Sequence, residues 1–338
     1  MREAVLVVCP GRGTYGAGEL GYLARHHGGG ALLGSFDAAR GGRGVPTISA
    51  LDGAERYSTS LHGPGENSAP LIYAGGILDF RTLDRDKCEV VAICGNSMGW
   101  YTALACAGVV SPEHGFAIAD AMGVNSGTGE PGGQLLLTLV GDDWRPDPAL
   151  RAEVEALIAS VDGLYRSIEL GGMLLVAGSE AALEELTARL PALPGRAPLR
   201  LAGHGPFHTP LMAESSRRAF ARLPTEWFGE PQIPLIDGQG RIWRSRENPP
   251  EAIRDYTFGG QILEPYDFTG SLTVAIKEFA PDRILLLGPG ETLGGAIGQV
   301  LVAERWLGIT DKAGFAARQE ADPFLVAMNR PEQRSIVA

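Results

Sequence analysis

Four short, nearly unbroken apolar runs constrain this chain more than any other feature: "AVLVVCP" (4–10), "EVVAIC" (89–94), "QIPLID" (232–237) and "RILLLGP" (283–289). Each is too short for an ordinary helix and lacks the polar alternation of a half-exposed strand. Each therefore reads as a strand buried on both faces. Strands of that kind pair in a parallel sheet with helices layered on both sides. "NSAPLIYAGGILDF" (67–80) reads as a buried helix despite its two glycines, while residues 40–66, rich in Gly, Ser and Pro, predict a long connection. The expected class is α/β.

The glycines and proline of "NSGTGEPGG" (125–133) mark a boundary. Beyond it the pattern predicts a strand at 134–140 and a helix at 148–160. Two strands follow near 164–170 and 172–177, then a helix at 180–190 and a last strand at 197–202. That βαββαβ order is the ferredoxin-like plan, with Gly171-Gly172 turning its hairpin. The expected organisation is a large α/β subdomain from residues 1–130 and 205–312, carrying a small inserted subdomain at 131–204. Residues 313–338 have weak periodicity and are expected to form a C-terminal tail that wraps the surface or moves.

Composition excludes several classes. With 44% hydrophobic and 20% charged residues the chain has the make-up of a soluble enzyme. A net charge of −11 without a Lys/Arg block argues against nucleic acid as a partner. The longest apolar runs are strand-length, far below the roughly 18 residues of a membrane span. The first run flows into a glycine turn rather than a cleavage site, so no secretory signal is expected. Cys9, Cys88, Cys94 and Cys106 form no CxxC pair and read as buried reduced thiols rather than as metal ligands. A cytoplasmic protein is expected.

Candidate chemistry centres on "AICGNSMGWYTALACAG" (92–108). An apolar strand meets Gly95-Asn96-Ser97-Met98-Gly99, and a small-residue helix follows at once. Glycines two residues to either side let the backbone close into a sharp turn that exposes the Ser97 hydroxyl at the sheet's carboxyl edge. The Met98 N–H and the positive end of the helix then face any oxyanion formed there. The plainer function for Ser97 is a helix N-cap, but the strand-turn-helix context favours a nucleophile. Such a serine needs a base. His26 and His27, beside a glycine run, read as surface residues, and His62 and His114 as residues of polar turns. His204 and His208 share a Gly/Pro-rich stretch, and composition does not choose between them. A rival motif, "GRGTYG" (11–16) with Asp37 about twenty residues on, fits a dinucleotide-binding turn. It leaves Ser97 and the histidines unexplained.

Several blocks in order resemble the malonyl-CoA:acyl-carrier-protein transacylases and the acyltransferase domains of fatty-acid and polyketide synthesis, over roughly residues 4–305. "VVCPGRGTYG" resembles the family's F-P-G-Q-G block, and "GNSMGWYTALACAGVVS" its G-H-S-x-G-E-Y-x-A-L-x-x-A-G block. "GPFHTPLM" resembles the block around the family's histidine, "GGQILEPYDF" its R-Q-L-x-x-P block, and "LLGPGETLGG" its E-x-G-P-G block. The resemblance implies an α/β-hydrolase-like large subdomain with a ferredoxin-like insertion. It implies Ser97 as nucleophile, His208 as base, and Gln261 as the residue whose backbone carbonyl orients that base. Met98 and Arg12 would supply the oxyanion-hole N–H groups. The implied chemistry is ping-pong transfer from an acyl-CoA to the phosphopantetheine thiol of an acyl carrier protein, with coenzyme A thioesters as substrates and no bound cofactor or metal.

The departures matter as much. Where the family holds a carboxylate with an arginine 25 residues after the serine, this chain has Met122, and no arginine lies between Ser97 and Trp144. A buried carboxylate without such a partner is unfavourable by several kcal/mol. Arg12, in place of the family's glutamine, is the one substitute; it is expected to point to solvent or to pair with an acid. Asn96 replaces a histidine and Trp100 a glutamate, while Glu169 and Met173 fall near the family's hairpin Asn and Gln. Met122, Phe207, Asn96 and Trp100 are the expected substrate-binding residues. The expected activity is acyl transfer that is not strictly malonyl-specific and favours an uncharged acyl group, with hydrolysis of acyl-CoA or acyl-carrier thioesters as the alternative. Arg196, Arg200, Arg217, Arg218 and Arg222 are the expected basic patch for an acidic carrier protein.

Overall fold

The computed structural model describes residues 2–190 and 197–338. Its strands in chain order are β1 (Glu3–Cys9), β2 (Cys88–Gly95), β3 (Gly133–Thr138), β4 (Leu164–Leu170), β5 (Met173–Gly178) and β6 (Leu199–Arg200). Then come β7 (Leu235–Ile236), β8 (Ile242–Trp243), β9 (Tyr266–Asp267), β10 (Arg283–Leu286) and β11 (Leu325–Ala327). Six of them form one sheet in the order β11-β10-β1-β2-β7-β8, parallel except for the short β7–β8 pair. This is the buried parallel sheet of an α/β fold.

The continuous apolar runs have a simple cause. In β1, Val5, Val7 and Cys9 face one core with the helices Gly65–Arg81, Gly99–Cys106 and Pro112–Asn125. Leu6 and Val8 face a second core with the helices Phe268–Phe279 and Gly294–Ala303. Both faces of the strand are dry, so neither admits a polar residue.

The second sheet runs β6-β3-β5-β4-β9. Its first four members are antiparallel in the order fourth-first-third-second, the ferredoxin-like arrangement, with the helices Pro148–Ala159 and Glu180–Arg189 on its outer face. Gly171, at φ 64°, turns the β4–β5 hairpin in a conformation that favours glycine. A register shift between Arg166 and Ile168 swings the end of β4, so that Leu164 faces the outer helices and Ile168 the large subdomain.

The structure corrects the sequence reading in several places. Tyr266–Asp267, placed by sequence in the large subdomain, adds a fifth strand to the small sheet, parallel to β4. The segment 313–338 is not a loose tail: β11 pairs with β10, and Phe324, Val326, Met328 and Val337 are buried. His27 is not a surface residue. Its Nε2 lies 3.0 Å from Oδ1 of the fully buried Asp79, which also accepts from Tyr22 Oη, Gly288 N and Arg334. One carboxylate thus ties the C-terminal helix Pro331–Val337 to the core, and these partners hold its pKa low against the burial that raises it. His62 is also buried, its Nε2 2.9 Å from Leu51 O.

All four cysteines are free and buried. Among the described residues, no helix is long and apolar enough to cross a membrane.

Candidate active site

Ser97 sits between the end of β2 and the start of the Gly99–Cys106 helix, at φ 53°. A non-glycine residue rarely adopts that left-handed conformation, and holding it there requires the surroundings to over-determine the turn. The flanking glycines show how. A Cβ on Gly95 would lie 2.5 Å from Gly99 carbonyl atoms, and one on Gly99 would lie 2.2 Å from Cys9 O. Tyr266 Oη adds a hydrogen bond of 2.6 Å to Gly95 O.

His208 reaches Ser97 from 111 residues downstream, with 2.8 Å between Ser97 Oγ and His208 Nε2. It too is left-handed, at φ 58°. Its other nitrogen, Nδ1, is 2.7 Å from Gln261 O. A carbonyl only accepts, so Nδ1 carries the hydrogen and Nε2 presents a lone pair to the serine hydroxyl. Burial pushes the His208 pKa down to about 4, against the opposing pull of the Gln261 carbonyl, so the ring is neutral at physiological pH. Among the described residues, no carboxylate touches it.

Gln261 ties the pair together. Its Nε2 donates to Ser97 O at 3.1 Å, and its Oε1 accepts from Tyr101 Oη at 3.2 Å. Neither the Met98 N–H nor the Arg12 N–H donates to a group among the described residues. A Cβ on Gly11 would meet Asn96 O at 2.6 Å, so the two backbone segments that carry these N–H groups lie against each other. The arrangement sets a serine hydroxyl against an imidazole oriented by a carbonyl, with two unengaged backbone donors nearby, the groups that nucleophilic acyl transfer requires.

These groups open on a cavity of about 420 Å³ between the subdomains. Met98, Met122, Asn96 and Phe207 line it. Asn96 Oδ1 is buried without a partner among the described residues. Trp100 does not line it: fully buried, it donates from Nε1 to Thr257 Oγ1 at 2.9 Å and meets Tyr256 edge-on. It was expected there because it stands where the family has a glutamate; the helix that starts at Gly99 turns it into the core instead. Tyr101, one residue on, is the neighbour that reaches the site. Its place one turn past the serine was the available signal.

Arg12 also departs from expectation. It neither points to solvent nor meets an acid among the described residues. It lines the cavity, donates to Gly63 O at 2.7 Å and Gly203 O at 3.0 Å, and lies over the Phe207 ring. Desolvation lowers its pKa. His204, the second candidate base, makes no hydrogen bond to Ser97: its Nδ1 bonds Gln134 Oε1 at 2.8 Å, and burial, then Arg12 and His208, push its pKa down to about 3. Glu169 pairs with Arg151 at 2.7 Å, whereas Met173 lines the cavity.

No protein-family model matches the chain. Among curated proteins it is 24% identical over 335 residues to the malonyl CoA-acyl carrier protein transacylase of Haemophilus influenzae, covering 93% of this chain and 97% of that one. Over most of its length the chain is similar in sequence to malonyl CoA-acyl carrier protein transacylases. The transacylase of Mycolicibacterium smegmatis is 30% identical over 179 residues, half of this chain and 58% of that one. Two solved structures share the fold. The malonyl-CoA:acyl carrier protein transacylase (FabD) of Xanthomonas oryzae superposes with a TM-score of 0.76 at 23% identity, over 99% and 98% of the two chains. The acyltransferase domain from the second module of the salinomycin polyketide synthase gives 0.72 at 19%, over 98% and 70%. Of the expected arginine patch, Arg200 pairs with Glu180, and Arg217 and Arg218 pair with Glu214. Arg196 lies outside the described residues.

Proposed function

We propose that this chain moves an acyl group from an acyl-CoA to the phosphopantetheine thiol of an acyl carrier protein through an ester on Ser97. The observation that carries this reading is the 2.8 Å Ser97–His208 contact at the cavity, with the imidazole fixed by the Gln261 carbonyl. His208 Nε2 takes the Ser97 proton as Oγ bonds the thioester carbon. The Met98 and Arg12 N–H groups hold the oxyanion, the C–S bond breaks, and the proton passes from Nε2 to the departing thiolate. The carrier thiol then gives its proton to His208 and reverses the steps, leaving Ser97 free. The names of the curated relatives support a transacylase, and a solved neighbour pairs a type II polyketide synthase acyl-carrier protein with its malonyl-transacylase. Met122 puts a thioether in the wall where the family's carboxylate-binding arginine is expected, so the activity is not strictly malonyl-specific.

The test is a chase. Enzyme loaded from an acyl-CoA and freed of CoA is mixed with holo carrier protein or with buffer alone. Acyl carrier protein forms within seconds and free acid accumulates at least a hundredfold more slowly. Equal release of free acid with and without the carrier would make the protein a hydrolase.

A further inference from the structure

The floor of the cavity is the inner face of the small sheet. Leu136 on β3, Ile168 and Leu170 on β4, Met173 and Leu175 on β5, and Leu201 just past β6 all line it. The two-residue spacing within β4 and β5 puts these side chains on one face. On the other face Leu135, Leu137, Leu174 and Val176 are closed off by the two outer helices. Leu136, Leu170, Met173 and Leu201 stay only half-buried. Among the described residues, the polar side chain of this wall, Gln134, is already engaged, by Ser167 Oγ at 2.6 Å and His204 Nδ1 at 2.8 Å.

We propose that this wall is an acyl-chain site, and that the preferred substrate class is an uncharged, unbranched acyl thioester several carbons long, its hydrocarbon laid across the small sheet from the ester on Ser97. The proposal rests on the acyl-transfer reading and specifies its substrate. Three occupants compete for the wall. A terminal carboxylate there would be buried without a cation. The pantetheine arm carries two amides whose N–H and C=O groups would find no partner among the leucines. It fits the polar part of the lining, which Arg12, Asn96, Ser126 and His204 supply. A hydrocarbon needs no partner and removes apolar surface from water. The cavity, at about 420 Å³, falls within the range of small-ligand sites.

The experiment measures kcat/KM for acylation of Ser97 in the full chain with acetyl-, butyryl-, hexanoyl-, octanoyl- and malonyl-CoA. The expected values rise about fourfold per methylene, matching the roughly 0.8 kcal/mol of a buried CH2, up to the length of the wall, with malonyl below butyryl. Leu170→Trp, which fills the wall, lowers the octanoyl-to-acetyl ratio at least tenfold. Leu136→Phe on the neighbouring strand moves the ratio the same way, and circular dichroism confirms that each variant is folded. A wild-type preference for acetyl or malonyl over octanoyl, or a ratio unmoved in both folded variants, overturns the acyl-chain site. Failure of every thioester to label Ser97 overturns the acyl-transfer reading beneath it.

Discussion

Replacing His208 with alanine lowers the rate of Ser97 acylation about a thousandfold, within the span typical of a positioned general base, while the far-UV spectrum stays that of the wild type. The size follows from the geometry. His208 Nε2 is the acceptor within hydrogen-bond reach of Ser97 Oγ, and its tautomer is fixed by Gln261 O. A serine hydroxyl with no base is a weak nucleophile at neutral pH. The pH profile supplies an independent readout. His208 acts as a base only when neutral, so activity is lost as pH falls through its pKa. Burial sets that pKa near 4 rather than at the ordinary 6.5. Wild-type kcat/KM for acylation is therefore expected to stay level on acidification through about pH 6 and to fall only near pH 4. His208→Ala has no such limb. A wild-type limb near 6.5 would mean that the ring is solvated in the working enzyme.

Gly99→Ala destabilises the fold by about 3 kcal/mol, the upper part of the usual range for overpacking, and also disables the site. The new Cβ would stand 2.2 Å from Cys9 O and 2.8 Å from Pro10 O, both rigid backbone. Relief requires β1 and the serine turn to move apart, which separates Ser97 from the Arg12 N–H. Gly295→Ala is the control: nothing lies within 4 Å of its Cβ, and it sits in the helix Gly294–Ala303. That substitution is expected to be neutral or to stabilise by up to about 1 kcal/mol. Urea titrations of the two variants measure the difference. Equal stability would show that the elbow is looser than its contacts require.

How much of this was legible in the sequence depended on whether a residue's role is local. β1, β2 and β10 could be read because both of their faces are dry. The serine turn could be read because its glycines are dictated by contacts a few residues away. β11 was missed because three ladder residues, Leu325–Ala327, carry too little pattern within a polar stretch. The direction of the Arg12 side chain was missed because a long side chain can turn either way from one backbone position. Here Gly63 O and Gly203 O, far apart in sequence, decide its direction. The leucine wall was invisible for a different reason. "QLLLTL" and "MLLVAG" are apolar on both faces, so their periodicity does not say which face is packed and which opens on a cavity.

Intact-mass spectrometry of the wild type and of Ser97→Ala after brief exposure to an acyl-CoA is the most direct measurement. The wild type should gain one acyl mass, mapped to the peptide holding residue 97 and removed by a carrier thiol, while Ser97→Ala gains nothing. An unlabelled wild type across a panel of thioesters, or equal labelling of the alanine variant, would contradict the account.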